Sequence, residues 1–257
     1  MLELRNISKV YSPGTVNENC LFRHFSLTIP DGQFVSVVGS NGSGKTTMLN
    51  MVCGSIPVDE GSILMGGQDI TKVREHRRYR NIGRVYQNPA MGTCGTMTIL
   101  ENMAMADNKN KPFNITPGVN RKRVEYYREL LSSLGLGLED KLHVPVSSLS
   151  GGQRQAMALL MATLTPIEFL ILDEHTAALD PKTAEIIMQL TGKLVREKRL
   201  TTLMVTHNLR YALEYGNRIL MLHEGHIVLD KADDEKAALR LEDVLGLFNE
   251  ISIECGN

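Results

Sequence analysis

The chain has 257 residues, of which 42% are hydrophobic and 22% are charged, which is ordinary for one folded α/β unit with an inserted subdomain. Its formal net charge of -1 lacks the basic excess of a dedicated nucleic-acid binder, whose affinity depends largely on phosphate neutralisation, so no nucleic-acid partner is expected. No apolar run approaches the roughly 20 residues that a transmembrane helix needs.

The N-terminal residues and the cysteines bear on where the protein works. Glu3, Arg5 and Lys9 interrupt the apolar pattern at the start, so the sequence predicts no signal peptide and a cytoplasmic chain. The cysteines form no CxxC pair and no Cys/His cluster with the spacing of zinc ligands. Free thiols in a reducing compartment are therefore expected at Cys20, Cys53, Cys94 and Cys255.

In chain order, the periodicity of apolar residues predicts alternating strands and helices. Strands are expected at about 1–10, 27–29 and 34–38, as a pair within 61–70, and at 169–172, 202–205, 218–223 and 226–229. Helices are expected at about 45–53, within 88–164 (with loops at 109–118 and 135–145), at 183–198 and at 236–249. This alternation implies a mostly parallel sheet with a helical insertion.

A glycine-rich loop lies between the third predicted strand and the first predicted helix. It matches G-x-x-x-x-G-K-[ST] and reads Gly39-Ser40-Asn41-Gly42-Ser43-Gly44-Lys45-Thr46. The glycines let successive N–H groups surround a phosphate, Lys45 can reach the β- and γ-phosphates, and the Thr46 hydroxyl can bind Mg²⁺. The alternative is a turn that binds nothing, which the position between strand and helix disfavours.

Two acids follow the apolar strand at 169–172. Ligands of open α/β sheets bind at the carboxyl ends of strands, where Asp173 and Glu174 are expected. Asp173 suits the anchoring of Mg²⁺, usually through water, and Glu174 suits the base that polarises an attacking water. A solvated strand end would be as good an interpretation if the pair stood alone.

A second potential phosphate site is Leu149-Ser150-Gly151-Gly152-Gln153, which opens a helical segment at 154–164. A serine hydroxyl and bare N–H groups at a helix N-terminus suit a phosphate. One chain rarely needs two such sites for one nucleotide, so we interpret this one as serving the ATP of another subunit. A capped helix without a ligand is the alternative.

These motifs, in this order, resemble the ABC ATPase family over about residues 2–230. LSGGQ is the signature of that family and lies between the phosphate loop and the acidic strand, as the family requires. Further residues match the family's Q-loop, D-loop, switch histidine and adenine-stacking aromatic residue: Gln87, Asp180, His207 and Tyr11. Singly, each has an ordinary structural explanation, and their joint order supports the resemblance.

The resemblance implies an α/β P-loop NTPase with a RecA-like, mostly parallel core, an N-terminal antiparallel β subdomain and an α-helical subdomain inserted at about 88–165. The whole chain, 1–257, would be one nucleotide-binding domain with a C-terminal helix at about 236–249. ATP and Mg²⁺ are the implied cofactors, and two ATP molecules would lie between the two subunits of a homodimer, each facing Ser150–Gln153 of the other subunit.

The resemblance also assigns roles to individual residues. Glu174, His207, Lys45 and Gln87 are implied to be catalytic, and Thr46, Gln87 and Asp173 are implied to hold the metal. Nucleotide contacts are implied for the phosphate-loop residues already given and for Tyr11, Thr47, Ser150, Gly151, Gly152, Gln153 and Asp180. Hydrolysis would loosen the dimer and move separately encoded permease subunits at the cytoplasmic face of the cell membrane.

No residue of this chain is expected to contact the transported solute, so the sequence does not identify that solute. A lone cassette resembles bacterial importers, which work with permease subunits and an extracytoplasmic solute-binding protein. The segment at 13–18 and the Asp-Glu-His-Thr variant resemble a subgroup linked to amino acids, including aromatic ones. A soluble ABC ATPase of translation or DNA repair is disfavoured by the single cassette and the absence of room for a coiled coil, whereas an assembly scaffold without transport remains an alternative.

Three further features have ordinary and functional interpretations. His175 stands where the family usually has proline, and it could add a titratable group to the loop near the site. The basic residues at 74–80 are expected to form a solvated face, with contact to anionic lipid or a membrane subunit as the alternative. Met157 and Met161 have helical spacing, which favours core packing over a docking surface.

Overall fold

The computed structural model describes residues 1–112, 115 and 117–254, with only the backbone considered at 251–254. In these ranges the strands are β1 (Leu2–Tyr11), β2 (Asn19–Ile29), β3 (Phe34–Gly39), β4 (Glu60–Met65), β5 (Gln68–Asp69), β6 (Ile82–Val85), β7 (Phe169–Asp173), β8 (Thr201–Val205), β9 (Arg218–His223) and β10 (His226–Ala232). The α-helices are α1 (Lys45–Cys53), α2 (Glu75–Arg78), α3 (Ile99–Asp107), α4 (Val124–Ser132), α5 (Gly151–Ala162), α6 (Pro181–Lys198), α7 (Leu209–Glu214), α8 (Asp233–Ala237) and α9 (Leu241–Glu254).

The strands form two sheets. One has the order β2-β1-β4-β5 and is antiparallel, and the other has the order β10-β9-β3-β8-β7-β6. In the second sheet the neighbours from β9 to β6 are parallel, whereas β10 pairs antiparallel with β9. The predicted α/β class, with a mostly parallel core and an N-terminal antiparallel sheet, is confirmed.

Strand β7 illustrates why the central strands read as continuous apolar runs. Phe169 and Ile171 pack on the side of α1, while Leu170 and Leu172 pack on the opposite side with residues of α5 and α6. Successive side chains of a strand point to opposite faces, so a strand covered on both faces must be apolar at every position. β3 and β8 are also buried, and their buried hydroxyls at Ser36 and Thr202 donate to carbonyl oxygens.

The segment between β6 and β7 is helical and has its own apolar core, built largely by α3, α4 and α5. Met157 and Met161 are buried in it, so the prediction of core packing is confirmed. Asp107, at the end of α3, accepts hydrogen bonds from Arg123 and Tyr127 and ties α3 to α4. The loop predicted at 109–118 includes residues 113, 114 and 116, which lie outside the described residues.

The predicted tail helix at 236–249 is wrong in its bounds, because two helices, α8 and α9, meet near residues 238–240. The buried Lys236 ammonium donates to the carbonyl oxygens of Tyr215 and Gly216, which fixes α8 against the end of α7. The Asp243 carboxylate accepts from the backbone N–H of Arg240 and starts the next helix. Side-chain capping of this kind outweighs the amphipathic period that suggested one helix.

The expectation of a solvated basic face at 74–80 is wrong for Arg78, which is buried. Its guanidinium donates to four carbonyl oxygens, those of Met51, Val52, Thr71 and Val73. Met51 and Val52 lie in the last turn of α1, where carbonyls have no partner within the helix and a cation meets the negative end of the helix dipole. Arg78 therefore caps α1.

Two further expectations concern cysteines and membrane spans. Cys20, Cys53 and Cys94 are free thiols, as predicted, and Cys255 lies outside the described residues. In the described part of the chain, no helix combines the length and the apolar character that crossing a bilayer requires.

Candidate functional site

The glycine-rich loop connects β3 to α1 at the carboxyl edge of the parallel sheet. Gly39, Gly42 and Gly44 have φ values of 151°, 81° and 103°, which side chains rarely tolerate. A Cβ on Gly39 would lie 2.2 Å from the carbonyl oxygen of Leu222, and one on Gly44 would lie 2.6 Å from the Phe22 ring. The loop conformation therefore requires glycine both for its dihedral angles and for the close approach of β9 and β2.

Lys45 lies inside this loop, where its ammonium donates to the carbonyl oxygens of Gly39 and Ser40 over 2.7 and 2.8 Å. The side chain is buried, and this burial lowers the pKa of Lys45, while the negative charge of Glu174 acts in the opposite direction. The ammonium also donates to the Ser43 hydroxyl over 3.4 Å. A partly desolvated cation whose hydrogen-bond partners are neutral is well suited to a polyanion such as a phosphate chain.

The acid pair lies at the end of β7. Asp173 is opposite Val205 of β8, and the N–H of Glu174 donates to the Val205 carbonyl over 3.0 Å. Glu174 has a φ of 47°, an uncommon value for a residue with a side chain, and such backbone strain is often found at functional sites. Its carboxylate Oε1 lies 2.7 Å from Nε2 of His207, which follows β8.

This contact brings together two residues that the sequence predicted as catalytic. Glu174 is 17% exposed and His207 is 47% exposed, so the pair lies at the rim of the site and remains accessible to water. The order β3-β8-β7 in the sheet explains the arrangement, because the ends of these neighbouring strands carry the phosphate loop, His207 and the two acids. Because β3 pairs with β8 and β8 pairs with β7, the loop and the acid pair lie at one edge of the sheet, where the charge of Glu174 opposes the effect of burial on the pKa of Lys45.

Two further predicted residues, Tyr11 and Thr46, lie beside the loop, and Gln87 follows β6. Tyr11 ends β1, is partly exposed and has its hydroxyl 3.3 Å from the Thr47 hydroxyl at the start of α1. Thr46 is exposed in the first turn of the same helix, and Gln87 is exposed just after β6. These placements keep the three side chains available to a ligand on this edge of the sheet.

The segment Ser150–Gln153 begins α5 with a capping box, in which Ser150 accepts from the N–H of Gln153 and Gln153 accepts from the N–H of Ser150. A Cβ on Gly152 would lie 2.2 Å from the methyl group of Thr183 on α6. No hydrogen bond or ion pair of the described residues joins this segment to the phosphate loop. The nearest side chains to its two glycines are instead Leu179 and Thr183, so within one chain the segment contacts the start of α6.

Asp180 has a local structural role in this chain. Its carboxylate accepts from the N–H of Thr183 at the N-terminus of α6, and hydrogen bonding with Thr183 lowers the pKa of Asp180. This is N-cap geometry. It places Asp180 at the start of α6, six residues after Glu174, and its implied nucleotide contact stays a prediction.

His175 is not a surface titratable group of the site. It is 2% exposed, and its Nε2 lies 3.1 Å from the Thr191 hydroxyl on α6. Burial lowers the pKa of His175 to about 4, so the ring is neutral at physiological pH. The interpretation that His175 adds pH dependence near neutrality is therefore not supported, and its observed role is to anchor the loop after the acids.

Sequence reasoning missed Arg84 in β6. One guanidinium nitrogen donates to Oδ2 of Asp173 over 2.6 Å, and the two side chains are only 6% and 15% exposed. The available signal was a charged residue inside an otherwise apolar strand, two positions before Tyr86. A buried charge of this kind requires a partner, and an acid at the end of a neighbouring strand is the natural one.

The phosphate loop, the acid pair and the adjacent histidine define a P-loop nucleotide hydrolase. The family model described as "ABC transporter" matches residues 22–177. The chain is 45% identical to a tyrosine transport ATP-binding protein of Clostridioides difficile (strain R20291), covering 96% of this chain and 98% of the relative. The chain therefore belongs to the ABC transporter family and is an ATPase.

Two other relatives and a solved structure support the same family assignment. A phosphonates import ATP-binding protein of Lactococcus lactis subsp. lactis (strain IL1403) is 30% identical over 95% of this chain and 98% of its own. A spermidine/putrescine import ATP-binding protein of Pasteurella multocida (strain Pm70) is 34% identical, and this chain covers 59% of its length. A dimeric ATP-binding cassette solved in a post-hydrolysis state with ADP and Pi is 30% identical, with a TM-score of 0.76 over 90% of this chain and 98% of that one.

Proposed function

We propose that this ATPase powers the import of a small solute, and that the solute is an amino acid such as tyrosine. It would act at the cytoplasmic face of the cell membrane through separate permease subunits, supplied by an extracytoplasmic solute-binding protein. The names of the relatives, all of which describe transport or import ATP-binding proteins, support import. The 45% identity to the tyrosine transport protein, over nearly all of both chains, supports the amino-acid substrate.

The observation that carries the hydrolytic mechanism is the 2.7 Å contact between His207 and Glu174 beside the Lys45 loop. ATP would bind with its β- and γ-phosphates in the loop, where the Lys45 ammonium exchanges its carbonyl partners for phosphate oxygens. Glu174 would orient and polarise the attacking water, and His207 would hold the Glu174 carboxylate and contact the γ-phosphate. Positioning and charge stabilisation would supply most of the rate.

The side chains proposed to hold Mg²⁺ have suitable chemistry. Thr46, Gln87 and Asp173 offer a hydroxyl, an amide and a carboxylate oxygen, and hard oxygen ligands are the ones that Mg²⁺ prefers. Among the described residues only Arg84 binds Asp173, through Oδ2, which leaves the Oδ1 atom available. When bound, the ion would supply positive charge that offsets the charge developing on the phosphates.

The dimer would complete the site. Ser150–Gln153 of one subunit would close over the γ-phosphate of the ATP that the other subunit holds, and the homodimeric state of the related cassette supports this arrangement. Tyr11 would stack on adenine, and Asp180 would lie at the dimer interface. The helical segment at about 88–165, within a single domain over 1–257, would transmit the change to the permease through the Gln87 segment.

Measuring Mg-ATP hydrolysis across protein concentration would test the ATPase mechanism. The rate per molecule should rise with concentration in the wild type, and Glu174→Gln should lose about 100-fold or more of it. The same variant should form dimers only when ATP is present. Glu197→Gln, which changes an exposed glutamate on α6, is the matched control and should match wild type. Full activity of Glu174→Gln would refute the role of Glu174.

Transport measurements would test the substrate. Proteoliposomes containing the chain with its permease subunits and binding protein would be loaded with ATP and offered labelled tyrosine, putrescine or a phosphonate. We expect uptake of tyrosine alone. Uptake of putrescine or the phosphonate instead would overturn the amino-acid assignment while leaving the ATPase intact, and ATP hydrolysis without any coupled uptake would overturn import.

A further inference from the structure

Arg84 forms a buried ion pair with the acid that is proposed to anchor the metal. The strands β6 and β7 run parallel, with Arg84 beside Ile171, so its long side chain extends along β7 to the strand end. There the guanidinium donates to Oδ2 of Asp173 over 2.6 Å. The guanidinium is a planar, permanently charged donor group, which makes it suitable for fixing the orientation of a carboxylate.

The second arm of the same guanidinium reaches the phosphate-loop helix. It donates to the side-chain oxygen of Asn50 over 2.9 Å, and Asn50 lies on α1, one and a half turns after Lys45. Asp173 and the helix that begins at Lys45 are thus joined through one rigid group. A shift of either element would strain both hydrogen bonds.

Arg84 also contacts the segment that carries Gln87. Its guanidinium lies 4.7 Å from the centroid of the Tyr86 ring, within the range of a cation–π interaction. The Tyr86 hydroxyl is 3.1 Å from the Tyr79 hydroxyl, and the Tyr86 carbonyl accepts from Gln155 of α5 over 3.0 Å. The residue immediately before Gln87 is therefore held by Arg84 on one side and by the helix of Ser150–Gln153 on the other.

We propose that Arg84 is a positioning residue for hydrolysis: it binds Oδ2 of Asp173, which leaves Oδ1 available to hold the metal, and it couples this acid to α1 and to the Gln87 segment. The inference depends on the metal-anchoring role of Asp173 given under the proposed function. Arg84 itself touches neither substrate nor metal.

Charge and burial explain why such a residue is needed. Asp173 and Glu174 are adjacent carboxylates at a partly buried strand end, and like charges in that setting repel each other. A fixed cation beside Asp173 reduces this repulsion, and the Glu174 carboxylate then contacts His207. Groups that orient a metal-binding carboxylate typically contribute 10–100-fold to metal affinity or activity, which is the size of effect expected here.

An ion pair of similar type elsewhere in the chain provides the control. Arg123 donates to Asp107 over 2.6 Å between α3 and α4, and Arg123 also packs on an aromatic ring, that of Tyr126. This pair stabilises the helical segment and has no contact with the acids. Arg123→Met therefore removes a comparable arginine–carboxylate bond without touching the proposed site.

The test measures the affinity of a fluorescent ADP analogue with Mg²⁺ and in EDTA, for wild type, Arg84→Met, Arg84→Lys and Arg123→Met. In the wild type Mg²⁺ should strengthen binding. In Arg84→Met this gain should shrink about 10-fold while the affinity in EDTA stays unchanged, and the Mg²⁺ concentration for half-maximal ATPase should rise. Arg84→Lys should recover part of both effects, and Arg123→Met should retain both.

The outcomes separate the two proposals. If the wild type binds the nucleotide with the same affinity with Mg²⁺ and in EDTA, the metal role of Asp173 is refuted, and this inference is refuted with it. A wild-type response to Mg²⁺ that Arg84→Met retains, or an equal loss of affinity with and without Mg²⁺, would refute the inference alone. If Arg84→Met does not fold, Asn50→Ala removes one arm and keeps the charge, and it should weaken the Mg²⁺ gain in the same direction, whereas no change would count against the proposal.

Discussion

At the scale of single residues, His175 shows how a polar side chain next to the acids can be structural. The Thr191 hydroxyl donates to the Ile187 carbonyl over 2.7 Å, so it can only accept from His175. This assigns the neutral ring a proton on Nε2. The hydrogen bond links the loop after Glu174 to α6, which is the positional constraint that a proline would otherwise supply.

His175 makes stability depend on pH in a defined window. Its pKa is about 4 in the folded chain, below the ordinary value of 6.5, so the unfolded state binds more protons between these values. The stabilisation is complete above pH 6.5 and is lost as the pH falls toward 4. Between roughly pH 7.5 and pH 5, the free energy of unfolding of His175→Gln should therefore fall by about 2 kcal/mol less than that of wild type.

Urea unfolding in EDTA, without nucleotide, measures this difference. The glutamine amide offers a donor to Thr191, so the variant should fold, and its free energy of unfolding should change less than that of wild type over the same pH step. Equal pH dependence in both proteins would show that His175 titrates normally and is not buried as described.

At the scale of elements, Arg78 is expected to stabilise α1 and with it the phosphate loop. Arg78→Met would remove the guanidinium donor from four carbonyl oxygens, two of them at the helix end, and of the four the Met51 carbonyl would keep a bond from the Gly54 N–H. The expected loss is about 2–3 kcal/mol of unfolding free energy, measured from the urea midpoint. Arg77→Met, which changes the exposed neighbouring residue, should alter it by less than about 0.5 kcal/mol. Similar losses in both variants would argue against the cap.

The comparison of Arg78 with the phosphate loop shows what the sequence could predict. The loop, the strand ends and the two-residue hairpin at Glu224 are specified locally, by glycine positions and by the apolar period. Arg78 binds helix-end carbonyls 26 and 27 positions away besides two nearer ones, Arg84 binds an acid 89 positions away, and His175 contacts a hydroxyl 16 positions away. No local period indicates which buried acceptor a charged or polar side chain will meet. The position of α8 was missed for the same reason, since Lys236 binds the carbonyl of Tyr215, 21 positions away, whereas the cap of α9 by Asp243 is local.

At the scale of the whole molecule, the proposal that Ser150–Gln153 serves the ATP of the other subunit makes a prediction about the dimer. If each site uses the loop of one subunit and Ser150 of the other, Lys45→Ala and Ser150→Arg should each be inactive alone. A two-fold symmetric dimer that contains one of each has one site with both defects and one site with none. Mixing the two variants should then restore activity that neither has by itself.

The amount restored is also constrained. Random pairing in an equal mixture makes half of the dimers mixed, and each mixed dimer has one intact site of two, so about a quarter of wild-type activity is the upper limit when the sites act independently. The control is a mixture of wild type with a chain that carries both substitutions. Each of the two sites of such a mixed dimer contains one defect, so the mixed dimers add no activity. No recovery in the variant mixture, under conditions in which mixed dimers are shown to form, would mean that Ser150 serves its own chain or that both sites must be intact. Dimers that hold one ATP at the intact site would then favour the second explanation, and dimers that hold none would favour the first.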